Sequence, residues 1–142
     1  MRALLAALLG MICWGVAPIF GKLGLQGIDP LTALVGRTFI AALLIGAAAL
    51  GGGRLGHLRA VPFQAWFLIA LEAIFATLVG DLFYYAALKW GGAAQTTLVL
   101  SAAPLITLWV GWQFLREPLT APRLLGAALI IAGVALVSLG QR

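Results

Sequence analysis

The chain has 142 residues, 63% of them hydrophobic and 9% charged, with a mean hydropathy of +1.11 and a formal charge of +5. A soluble domain is about one-half apolar and one-quarter charged, so there are too few polar side chains here to cover a surface facing water. The basic excess forms no clustered face of the kind that binds nucleic acid; it punctuates apolar runs, where it sets orientation and meets anionic headgroups.

Lipid tolerates an apolar exterior but no unpaired backbone, which leaves helices or a closed barrel as spanning elements. The apolar runs lack the period-two alternation of barrel strands, so the fold class is an all-α, polytopic membrane helix bundle. A span takes about 20 mostly apolar residues. Five stretches meet that length, 3–21, 31–50, 64–88, 94–115 and 121–140, and they make one membrane domain over 1–142.

Arg2 and the apolar run behind it look like a secretory leader. The run continues through Trp14 to Phe20 without a small-x-small cleavage site, so it is read as the first span. Cys13 inside it is a packing residue, and a lone cysteine builds neither a disulfide framework nor a zinc knuckle. Trp14 stands mid-helix and is a substrate-pocket candidate, whereas Trp66 and Trp90 fall where interfacial aromatic belts lie. Pro18 cannot donate to the carbonyl of Trp14.

"GLQGIDP" and "GGGRLGHLRAVP" are the Gly, Pro and charge-rich breaks on either side of the second span. That span carries Arg37, and the third carries Glu72 and Asp81. An ionisable group inside a span costs about 2.5–3.5 kcal/mol on insertion scales and so faces a cavity or a partner. Counting rise from helix centres puts Arg37 roughly 5 Å, Glu72 roughly 6 Å and Asp81 roughly 7 Å from the midplane. With the N-terminus inside, Arg37 and Asp81 share the outer half and form a candidate structural ion pair.

Glu72 lies in the inner half. Nine residues of regular helix turn it about half a revolution away from Asp81. A desolvated carboxyl can take and release a proton, which makes Glu72 the proton-coupling candidate. A neutral, hydrogen-bonded carboxyl, or one snorkelling to the interface, accounts for it as well. Tyr84 and Tyr85, one turn beyond Asp81, could join Trp14 in an aromatic wall.

The third break, "KWGGAAQ", is short enough to make the third and fourth helices antiparallel neighbours. The fourth helix carries Thr97, Ser101 and Pro104 as a small polar stripe, and Pro104 frees the carbonyl of Leu100. Freed carbonyls can bind substrate, although Ser, Thr and Pro also serve simply to stitch and bend membrane helices. In "REPLTAP", Thr120 is a candidate N-cap with Pro122 in the first turn of the fifth helix. On that helix Gly126, Gly133 and Gly140 recur every seven residues and form a ridge for helix packing, within the chain or across a dimer.

Basic residues of the short loops favour a cytoplasmic N-terminus: Arg2, Arg54, Arg59, Arg116 and Arg123 would face the cytoplasm, against Lys22, Lys89 and Arg142 outside. The bias is slight, and with an odd number of helices both orientations can coexist. No HExxH, P-loop, Cys/His ligand set or Ser-His-Asp trio is present, and the one histidine, His57, lies in a loop. The chain is therefore expected to be no enzyme, with no metal or cofactor. Nor does it contain an internal repeat.

The run "FYYAALKWGGAAQTTLVLSAAPLITLWVGWQFLREPLTAPRLLGAALIIAGVAL" resembles the C-terminal part of an EamA domain of the drug/metabolite transporter superfamily. "WGVAPIFGK" in helix one and Arg37 in helix two look like that domain's start, so the likeness covers nearly the whole chain. It implies a five-helix unit, one half of a ten-helix inverted-repeat architecture that exports metabolites such as amino acids. A single-domain member would rebuild that architecture as an antiparallel homodimer or with a paired homologous chain. The related small multidrug resistance proteins carry a glutamate in helix one for proton and drug; the corresponding place here holds Trp14. The resemblance thus implies an exporter of a small organic metabolite in the cell membrane, working by alternating access. A non-transporting membrane subunit and a lipid-carrier flippase component are the alternatives.

Overall fold

A computed structural model describes residues 2–139, so Gly140 of the glycine ridge and Arg142 of the outer charges lie outside the described residues. Five long apolar helices account for most of the chain: α1 Arg2–Gly24, α2 Pro30–Gly51, α3 Phe63–Trp90, α4 Ala93–Leu115 and α5 Ala121–Leu139. Each is long enough to cross the roughly 30 Å hydrocarbon core at 1.5 Å per residue. The all-helical membrane bundle expected from the sequence is what the structure contains. Most large apolar side chains are exposed, as in a protein whose solvent is lipid.

Local chemistry sets the helix ends. Gly27 has φ +81°, a left-handed conformation that glycine adopts without steric cost, and it turns the chain out of α1. Asp29 then caps α2: its Oδ1 accepts the Thr32 N–H at 3.0 Å, with Pro30 in the first turn. At the other end of α2, Gly52 donates to the Ala48 carbonyl at 3.0 Å, and Gly53, which reverses the chain at φ +65°, donates to that of Leu50 at 3.1 Å. One helical turn, Leu55–Leu58, interrupts the loop to α3.

Two of the long helices are irregular. Within α3, residues Ile74–Gly80 form a π-helical stretch between the α-helical segments Phe63–Ala73 and Asp81–Trp90. Within α4, the chain makes a tight turn at Ser101 and Ala102, where Ala102 donates to Val99 at 3.1 Å and Leu105 to Ala102 at 2.9 Å. These i→i−3 bonds accommodate Pro104, which has no N–H and opens the helical stretch Ala103–Leu115.

The chain divides into two compact units. The first joins Met1–Pro18 to Gly91–Arg142, and so takes most of α1 with α4 and α5. The second is Ile19–Trp90, with the end of α1, α2 and α3. In the second unit Leu25, Leu34, Tyr85 and Leu88 are buried, Leu88 completely. Gly21 packs closely on this core: a Cβ there would stand 3.1 Å from Leu88 Cδ1, so the buried Leu88 would have to give by a few tenths of an ångström.

In the first unit, the end of α4 closes on itself. Arg116 takes a left-handed conformation at φ 53°, and the Glu117 N–H reaches the Gly111 carbonyl at 3.1 Å. Arg123, at the start of α5, donates to the Pro118 carbonyl at 2.9 Å and to Glu117 Oε2 at 3.4 Å, tying the loop down. The α5 helix opens at Ala121 with Pro122 in its first turn, and the Leu124 N–H reaches the Thr120 carbonyl at 3.1 Å.

Candidate functional site

The densest polar arrangement in the second unit is built by α2 and α3. Arg37 stands on α2, and its Nη1 forms a charged hydrogen bond with Asp81 Oδ2 on α3. The two residues are 44 positions apart in sequence, so the pair clamps one membrane helix to another. Asp81 is the less exposed partner, at 23% of its side chain against 47% for Arg37. Each charge offsets the desolvation cost of the other, which is why opposite charges at membrane depth occur as pairs.

Asp81 opens the last α-helical segment of α3, and its own N–H donates to the Ala76 carbonyl in the π-helical stretch. One turn further on, Tyr84 and Tyr85 meet edge to face, with ring centroids 5.7 Å apart and planes at 86°. This is the geometry that sets the positive edge of one ring against the negative face of the other. Tyr85 is buried and Tyr84 half-buried, and both lie within electrostatic reach of Arg37 and Asp81. Four of the residues singled out from the sequence therefore gather in one place.

The same two helices, α2 and α3, line an open apolar groove of about 620 Å³ to which none of these four residues contributes. It runs along α2 from Leu31 to Ala42 and along α3 from Ala73 to Leu78, and Thr38 and Thr77 are its polar members. Beyond Tyr85 two lysines close the end of the unit. Lys22 of α1 donates to the carbonyls of Leu88 and Lys89 at the end of α3, and Lys89 Nζ donates to the Ile28 carbonyl in the α1–α2 loop at 2.8 Å. Positive charge at the carbonyl end of a helix meets the negative pole of its dipole, so the contact is favourable as well as reciprocal.

Glu72 is exposed on α3 and makes no hydrogen bond or ion pair among the described residues. Its angular relation to Asp81 differs from the half-revolution expected of a regular helix. The π-helical stretch takes up one residue more than an α-helix would, so nine residues turn the chain as about eight do, leaving the two carboxylates roughly 80° apart. Sequence periodicity does not reveal this, because a wide turn inside an apolar run leaves the composition unchanged.

The remaining candidates belong to the first unit. Trp14 is 82% exposed and Pro18 is buried. Thr97 Oγ1 donates to the Ala93 carbonyl at 2.9 Å, and Ser101 Oγ donates to the Leu98 carbonyl. Both hydroxyl protons are spent on their own helix, leaving the oxygens as acceptors. At Gly126 and Gly133 an added Cβ would meet nothing within 4 Å. Among the described residues no three His, Cys, Asp or Glu side chains gather where they could hold a metal ion.

Sequence reasoning missed the reciprocal lysines, the Gly21–Leu88 approach and the Arg123 tie. Each carries a local sign, namely a lysine in the last turn of α1 and of α3, a glycine one residue before Lys22, and an arginine in the first turn of α5. Only the tertiary contact says what each touches.

A family-wide sequence model described as the EamA-like transporter family matches residues 1–139. The chain is 26% identical over 125 residues to "Uncharacterized transporter YyaM" of Bacillus subtilis (strain 168), covering 88% of this chain and 41% of that protein. It is 30% identical over 132 residues to "Uncharacterized transporter in cobO 3'region" of Sinorhizobium sp, covering 93% of each. To "Uncharacterized inner membrane transporter YhbE" of Escherichia coli (strain K12) it is 26% identical over 132 residues, covering 92% of this chain and 41% of that protein. The chain thus spans about two-fifths of the length of YyaM and YhbE and nearly all of the Sinorhizobium relative. No solved structure matches it.

Proposed function

The chain belongs to the EamA-like transporter family, and from that premise we propose that it is a half-transporter, carrying a small organic metabolite by alternating access beside a second five-helix unit. That it is a multi-pass membrane transporter follows from the family and from five apolar helices of spanning length. The finer reading rests on one observation, the Arg37–Asp81 pair inside two such helices, bordered by Tyr84 and Tyr85.

Each member of that pair can exchange its partner for a group of like charge on a solute. A carboxylate competes with Asp81 for the planar guanidinium of Arg37, which matches carboxylates in two-point fashion. An ammonium competes with Arg37 for Asp81, and the faces of the two tyrosines favour a cation beside it. A zwitterionic metabolite replaces both contacts at once and leaves no charge unpaired in the low-dielectric span. Solute binding and separation of α2 from α3 at this point are then linked. The same pair, left closed without solute, resists leakage.

A cytoplasmic N-terminus is the orientation the loop charges favour, and export across the cell membrane is the direction proposed from the family resemblance. The second unit would be an inverted copy of this chain or a homologous partner, and Gly126 and Gly133, where an added Cβ would meet nothing within 4 Å, offer small-residue positions for close approach. Glu72, unpaired among the described residues, is the group proposed to couple proton movement to the cycle.

Purified protein alone in liposomes should move radiolabelled amino acids in a counterflow assay, and Asp81→Asn should abolish that movement. Glu72→Gln should keep counterflow but lose its stimulation by a proton gradient. Absence of counterflow for every amino acid, with the protein folded and inserted, would sink the zwitterion reading. In that case a non-transporting subunit or a lipid-carrier flippase becomes the better account. Cysteines placed at Gly53 and Arg142 in a Cys13→Ala background should label from both sides of the membrane if the partner is an inverted copy. Labelling of each from one side alone would point to a different partner chain.

A further inference from the structure

The second unit contains a feature that the transport reading does not by itself require. Residues Ile74–Gly80 are π-helical, a form that accounts for well under 1% of residues in globular proteins and that recurs as single wide turns at functional sites. The stretch ends immediately before Asp81. Its last residue is Gly80, where a Cβ would stand 2.8 Å from the carbonyl oxygen of Phe75, five residues earlier. The obstructing atom is backbone, so no side-chain rotation relieves the contact. The Asp81 N–H continues the pattern by donating to Ala76, also five residues back.

We propose that Gly80 is a positioning residue: by admitting the wide turn, it sets the rotational register that brings Asp81, and with it Tyr84 and Tyr85, to face Arg37. Closing the stretch into regular α-helix at unchanged length would rotate everything after it by about 100° relative to the segment carrying Glu72. The Asp81 carboxylate would then leave the Arg37 side of the helix. The role proposed for Gly80 in transport rests on the reading of the Arg37–Asp81 pair as the solute site, whereas its role in register does not.

Helix arithmetic supplies a test that a mere packing role for Gly80 would fail. Removing one residue from the wide turn also yields regular α-helix, but with both flanks in their original register. Ala76 is small, exposed and inside the stretch, which makes it the residue to delete. Register is read by placing cysteines at Arg37 and Asp81 in a Cys13→Ala background and measuring their joining by a short thiol-specific linker in membranes.

Joining is expected in the parent, lost with Gly80→Ala, and recovered when Gly80→Ala is combined with deletion of Ala76. Deletion of Ala76 alone should retain joining, and this variant decides the matter if Gly80→Ala fails to accumulate. Joining that survives Gly80→Ala, or that deletion of Ala76 abolishes or fails to recover, overturns the proposal. Counterflow measured on the same backbones with Arg37 and Asp81 intact separates the two ideas. Linking that follows the expected order while transport ignores it refutes the solute-site reading and leaves the register role standing.

Discussion

The two units of the chain use their polar groups in opposite ways. In Ile19–Trp90, besides the local Asp29 cap, three side-chain contacts join distant parts of the sequence: Arg37 to Asp81 across 44 residues, Lys89 to Ile28 across 61, and Lys22 to Leu88 across 66. In the other unit four side chains bond locally. Thr97 reaches Ala93, Thr107 reaches Ala103, Ser138 reaches Val134, and Arg123 reaches no further than Glu117. A hydroxyl bonded to its own helix satisfies backbone without choosing a neighbour, whereas a charge bonded to another helix specifies which neighbour and at what depth. Ile19–Trp90 is therefore where specific polar groups decide the arrangement of helices, and it holds the proposed site.

Substitutions can be ranked by how hard they strain that contrast. The largest effect is expected from Asp81→Ala, which leaves Arg37 charged and unpaired in a span and should lower unfolding stability in bicelles by about 3 kcal/mol. Exchanging the two residues, Arg37→Asp with Asp81→Arg, should recover part of the loss. Recovery is what separates an ion pair from two independent contacts, and its absence in a double-mutant analysis would refute the pair as the cause.

Next come the reciprocal lysines. Lys22→Met and Lys89→Met keep the aliphatic stem but remove the charge from the helix ends, and each should cost about 1 kcal/mol. The signature is locality: hydrogen exchange should quicken at the end of α3 and in the α1–α2 loop, with α4 and α5 unchanged. Faster exchange throughout the chain would contradict a local clasp.

Arg123→Ala tests the other unit. Its partners are close in sequence and both charged groups are about half exposed, so the loss should be about 0.5 kcal/mol or less. A cost matching that of Asp81→Ala would abolish the distinction between the units.

The smallest effect is a pH dependence at the cap of α2. Hydrogen bonds from Thr32, its hydroxyl first and its backbone N–H second, hold the Asp29 carboxyl below its ordinary value of 3.8. A lowered carboxyl pKa contributes stability that is fully present above 3.8 and is lost as pH falls through the lower folded value. Fraying of the first turn of α2, followed by amide NMR, should therefore set in below pH 3.8, and Asp29→Asn, which still caps, should remove that dependence.

The sequence by itself determined the solvent and the architecture. Apolar runs of spanning length separated by Gly, Pro and charge dictate five helices in lipid, because nothing else satisfies the backbone there. It also brought Arg37 and Asp81 forward as partners, since two costly charges at similar depth have each other as the least expensive remedy. The faces those helices present, and the ends they close, were decided by tertiary structure. One wide turn before Asp81 swings it from opposite Glu72 to about 80° away, and no hydropathy pattern records such a turn. The lysine clasp was equally hidden, because backbone carbonyls accept from any lysine that reaches them and only the packing of Gly21 on Leu88 brings Lys22 within range.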